Sequence, residues 1–169
     1  MIPFPWSSRS IFFLVALLCT GLLGFALVLE YFVNLVPCPL CIVQRFFYAL
    51  ILIIALLAYS GWFQSVNTRV YGGIIFALSV LGGAVALRQV WLQHFIPLDT
   101  DPTRCGVFFG SFIQSVLLAL GGLGNCAIVD WTFLSLSIAD WSFLCFLLLS
   151  FAGLFLVLWK SPMKGVLVD

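Results

Sequence analysis

The sequence predicts an all-α membrane protein, a four-transmembrane-helix bundle with a long outer loop carrying a short amphipathic interfacial helix. Three observations predict it. Of the 169 residues, 64% are hydrophobic and only 8% charged, with a mean hydropathy of +1.24, whereas a soluble domain carries roughly 25% charged residues. Four apolar segments, residues 11–29, 42–59, 70–87 and 141–159, are long enough to cross about 30 Å of hydrocarbon, which takes roughly 20 helical residues. Lipid satisfies no backbone hydrogen bonds, so segments of this length must be helices. The chain reads as a single membrane domain, 1–169, with outer loops over 30–41 and 88–140. Its net charge of +1 offers no basic field to nucleic acid.

Taken in order, the first segment follows Arg9 and contains Cys19. It is too long for a signal-peptide core, and Leu18 stands where a lipoprotein cleavage site wants a small residue, so a retained helix is expected. Glu30 falls at the outer interface and reads as a solvated carboxylate. Pro37 and Pro39 then keep the chain out of helix while it delivers Cys38 and Cys41 to the lip of the second segment. The connection holding Ser60, Gly61, Gln64, Asn67 and Thr68 reads as an interfacial turn anchored by Trp62.

The third segment carries Gly72, Gly73, Gly82 and Gly83, small residues that let membrane helices approach closely, so it should be the most enclosed of the four. It ends in Arg88-Gln89-Val90-Trp91-Leu92-Gln93-His94, where Arg88 and Trp91 suit an interfacial anchor and His94 reads as a loop residue. The long connection after it is polar from Leu98 to Arg104 and reaches Cys105. Over 107–120, Phe108, Phe112, Ile113, Val116 and Leu120 share one half of a helical wheel against Ser111, Gln114 and Ser115. That pattern predicts a helix lying in the membrane surface, holding Cys105 and Cys126 near the outer leaflet. Asp130-Trp131 and Asp140-Trp141 return the chain to the bilayer.

With four spans, Arg9, Arg69, Lys160 and Lys164 share a side, which the positive-inside bias assigns to the cytoplasm. Cys38, Cys41, Cys105 and Cys126 then face a compartment where disulfides persist. Cys19 and Cys145 fall inside spans and read as small buried apolar residues.

Cys38-Pro39-Leu40-Cys41 names two chemistries, a zinc half-site and a redox-active dithiol. Structural zinc proteins supply two compact knuckles, and the Cys105/Cys126 spacing is not one, so a redox relay fits better. A non-enzymatic zinc-binding or structural membrane subunit is the alternative. Cys41 stands near a helix N-terminus, whose dipole favours thiolate. Arg45, four residues on, points back along the same face toward it and is suited to stabilise that thiolate or an anionic reduced acceptor. The plainer reading of Arg45 is a cation snorkelling to the interface. With no haem or flavin signature, the acceptor left by elimination is lipid-soluble.

Three stretches carry a resemblance: Pro37-Cys38-Pro39-Leu40-Cys41 with Arg45; Arg88-Gln89-Val90-Trp91-Leu92-Gln93; and Cys105 with Gly124-Asn125-Cys126 leading into Asp130-Trp131-Thr132-Phe133. Along nearly its whole length the chain resembles the bacterial disulfide bond formation protein B (DsbB) family. The resemblance implies an inner-membrane, quinone-dependent thiol oxidase that reoxidises DsbA, a soluble thioredoxin-like partner, or else serves a dedicated oxidase. It implies a Cys105–Cys126 disulfide that takes electrons from DsbA, with Cys105 forming the mixed disulfide. Electrons would pass to Cys38 and Cys41, and Cys41 would hand them to ubiquinone or menaquinone beside Arg45. Arg88 and Gln89 match the border of the quinone pocket, and no metal is implied.

Overall fold

The computed structural model describes residues 8–32, 39–61, 67–95, 132–133 and 136–158. Cys38, Cys105, Cys126, the helix expected over 107–120 and the tryptophans Trp62 and Trp131 lie outside the described residues. Among the described residues, four helices are long and apolar enough to cross a membrane: α1 (Ser8–Phe32), α2 (Pro39–Ser60), α3 (Thr68–Phe95) and α4 (Ile138–Leu158). Two short strands, β1 (Thr132–Phe133) and β2 (Leu136–Ser137), pair antiparallel just before α4. The protein is an all-α four-helix membrane protein, with that small hairpin as an addition the sequence did not signal.

Each helix end has a local cause. Pro39 begins α2 rather than holding the chain out of helix, because the first helical position needs no N–H and favours the fixed φ of proline. Cys41 therefore lies inside the first turn. At the other end, Ser60 Oγ donates to the Leu57 carbonyl at 3.0 Å, and Gly61 follows with φ of 66°, the left-handed conformation that stops a helix. Asn67 caps α3 by accepting from the Arg69 N–H at 3.3 Å. Ser137 and Asp140 form a capping box on α4: the Ser137 N–H donates to Asp140 Oδ2 at 2.9 Å, and the Asp140 N–H donates to Ser137 Oγ at 3.3 Å.

Helix α3 continues to Phe95, past the end expected at residue 87. No proline intervenes before Pro97, so the backbone stays helical although its side chains turn polar. Arg88, Gln89 and His94 are thus helical residues, and His94 is not in a loop. Its Nδ1–H donates to the Val90 carbonyl of its own helix at 3.0 Å.

Packing follows chain order: α1 on α2, α2 on α3 and, most extensively, α3 on α4. The α3–α4 crossing depends on missing side chains. A Cβ on Gly153 would lie 2.7 Å from the Phe76 nitrogen, and one on Gly82 would lie 2.4 Å from the Phe146 ring. As the glycine-rich sequence predicts, α3 has the largest buried share of the four spans. Across the bundle, Tyr48 of α2 stacks on Phe146 with ring centroids 4.2 Å apart, and its hydroxyl donates to the Ser142 carbonyl at 3.0 Å. Cys19 is fully buried in this core, and Cys145 packs against it. Helix α1 touches α4 only lightly, leaving an apolar groove of about 610 Å³ between Ile11, Leu14, Leu18 and Leu148, Phe151, Phe155. Outward-facing Leu17, Ile53, Leu81 and Leu148 give each helix a lipid-compatible surface.

Candidate functional site

The site is built at the end of the bundle where α1 finishes, α2 begins and α3 finishes. Leu40, fully buried, and Leu92, 2% exposed, anchor the first turn of α2 and the last turns of α3. Cys41 is half-buried beside them. On a helix, residues three and four apart share a face but splay to either side of it. Gln44 accordingly turns toward α3, and Arg45 turns toward α1.

On the α3 side, Gln44 and Gln89 are both 4% exposed. Gln44 Nε2 donates to Gln89 Oε1 at 2.8 Å. Gln89 in turn meets the sulfur: its Nε2 lies 3.4 Å from Cys41 Sγ, placed to donate, and its Oε1 lies 3.7 Å away, placed to accept from an S–H. Two amides and one sulfur form a single network. One turn further along α3, Gln93 Oε1 accepts from Ser137 Oγ at 2.8 Å, tying the cap of α4 to the same end.

On the α1 side, Arg45 forms an ion pair with Glu30 and donates from its second terminal nitrogen to the Ala26 carbonyl at 3.2 Å. The side chains are 26% and 32% exposed, so the pair lies partly out of the interior. A charge at this depth is tolerated because its partner is in reach. Glu30 is therefore a paired carboxylate rather than a simply solvated one. The hydrogen bonds of Arg45 run to α1, and those described for Cys41 run to Gln89.

The structure thus brings together Cys41 and Gln89, sets Arg45 on the next face, and holds Arg88 half-buried on the turn beside Gln89. Cys38, Cys105 and Cys126 are not among the described residues, where no cluster of three or more histidine, cysteine or acidic side chains could hold a metal. Sequence reasoning missed Gln44 and the pairing of Glu30. The available signals were a lone amide inside an apolar helix and opposite charges at facing ends of neighbouring spans.

A half-buried thiol held between the end turns of two spans defines the class: a multi-pass membrane protein with a cysteine site at one end of its helices. The family model for disulfide bond formation protein DsbB matches residues 8–156. The chain is 38% identical over 168 residues to disulfide bond formation protein B of Aromatoleum aromaticum, covering 96% of this chain and 98% of that one. It is 42% identical over 163 residues to the protein of the same name from Marinobacter nauticus, covering 92% and 96%. The Nitrosomonas europaea protein of that name is also 42% identical, over 161 residues, covering 90% and 94%. No solved structure matches the chain. The chain belongs to the DsbB family of disulfide bond formation proteins.

Proposed function

We propose that the protein reoxidises a soluble thioredoxin-fold oxidase of DsbA type and passes the electrons to membrane quinone. It sits as one membrane domain in the bacterial inner membrane, with both termini cytoplasmic and its cysteine loops periplasmic. Cys105 and Cys126 accept two electrons from the partner's dithiol, and the Cys38–Cys41 pair receives them in turn. The observation that carries this reading is Cys41 Sγ, held by Gln89 at the outer end of α2 and α3 with Arg45 on the adjoining face.

The residues present fit a quinone by their donor chemistry. Gln89 brings an amide and Arg45 a guanidinium with five N–H donors, of which Glu30 and Ala26 engage only part. A bound quinone supplies a two-electron, two-proton acceptor that is soluble in the bilayer. Cys41, in the first turn of α2, sits in the positive field of that helix end, which favours its thiolate. Arg45 adds a permanent positive charge beside it, moderated by Glu30.

The purified protein should reduce a soluble quinone when given a reduced thioredoxin-fold oxidase, and Cys41→Ser should remove turnover. Turnover retained by that variant rejects the role given to Cys41. Free thiols counted before and after reduction should reveal two disulfides that the relay requires.

A further inference from the structure

We infer that Gln89 is a catalytic residue that holds Cys41 as thiolate through a neutral amide N–H, and that Gln44 is the positioning residue that aims it. The inference takes from the proposed function only that Cys41 is the reacting thiol, and its test reads that sulfur directly.

An amide has one oxygen with two acceptor sites and a nitrogen with two donors. Gln44 occupies one site on Gln89 Oε1 with a bond of 2.8 Å. In the structure the Gln44 N–H holds that oxygen, so the Gln89 amide meets Gln44 through Oε1 and keeps Nε2 toward the sulfur. With the amide so fixed, Cys41 Sγ lies 3.4 Å from Nε2 and 3.7 Å from Oε1. The thiol can donate its proton to the second acceptor site of Oε1, while the thiolate accepts from Nε2. One amide serves both protonation states without moving.

The thiolate gains more, because a hydrogen bond to a charged acceptor is roughly twice as strong as a neutral one. A charged donor at this place would be costly to bury alone, and the described hydrogen bonds of the nearby Arg45 run to α1. Both glutamines are 4% exposed, a depth at which amides persist only when paired. Their described hydrogen bonds run to each other and, from Gln89, to the sulfur.

The experiment measures the pH midpoint for alkylation of Cys41 by iodoacetamide in the fully reduced, full-length protein in detergent. Fragmentation of the labelled peptide separates Cys41 from Cys38. Gln89→Leu should raise the midpoint by about one pH unit, a roughly tenfold smaller thiolate fraction below it. Gln44→Leu should raise it by less, since the Gln89 amide remains but is free to turn. Gln89→Met should raise it as Gln89→Leu does, because it keeps side-chain length and removes the amide. A packing role alone predicts no shift there, so that variant decides the matter should Gln89→Leu fail to fold. Unmoved midpoints in Gln89→Leu or Gln89→Met overturn the inference. A raised midpoint in protein that cannot reduce quinone upholds it while rejecting the quinone reading.

Discussion

Cys41 stands between two walls that differ in chemistry and in backing. The α3 wall is neutral and buried, an amide pair in which Gln89 stands on a helix that glycine contacts press against α4. The α1 wall is a partly exposed ion pair on a helix that rests mainly on α2 and leaves an apolar groove toward α4. The difference teaches where geometry is fixed. Gln89 meets the sulfur directly from the closely packed helix, and the charged pair stands where water and salt can reach it.

The contrast can be broken most severely at its base. Gly153→Val would drive a side chain into the backbone of Phe76 and Gly72, which cannot yield as a flexible side chain can. Overpacking of that kind costs about 1–3 kcal/mol or more, and a lowered thermal midpoint in detergent should report it. Next comes the amide wall itself. Gln89→Leu strands the Gln44 amide at 4% exposure, a loss of about 1–3 kcal/mol. The double variant Gln44→Leu/Gln89→Leu should lose less than the two single losses added together, because no orphan amide remains.

Tyr48→Phe preserves the stack on Phe146 and removes only the hydroxyl bond to Ser142, so about 1 kcal/mol is expected in the same thermal measurement. Smallest is the α1 wall: Glu30→Gln should cost about 1 kcal/mol or less, as partly exposed pairs do. Raising salt from about 0.1 M to about 1 M shortens the Debye length from roughly 10 Å to roughly 3 Å. It should therefore shrink the stability difference between Glu30→Gln and the unaltered protein while leaving the Gln89→Leu difference unchanged. Equal salt responses on both sides would erase the distinction.

The four spans were legible because a bilayer imposes length and polarity that no other context demands, and α3 was legible as the enclosed helix through its glycines. Arg45 stood out as a charge at depth, and Gln89 through family resemblance. What the sequence hid was pairing across helices. Glu30 reaches Arg45, and Gln44 reaches Gln89, only because particular helix faces meet, and no local pattern encodes that meeting. The apolar span is expected to close at residue 87, where the side chains turn polar, while the helix itself runs on to Phe95 and takes in His94, which the sequence alone reads as a loop residue. Strands of two residues each are too short to show any period.

The order of packing also bears on assembly. Because α1 lies on α2, α2 on α3 and α3 on α4, each helix after the first meets a packing neighbour already in the bilayer as it is made. Cys41 and Gln89 can therefore be joined as soon as the third helix docks, before the long connection after α3 and the fourth helix have been made. The thiol's setting is then a property of the first three helices, and the fourth arrives to lock a geometry that already exists.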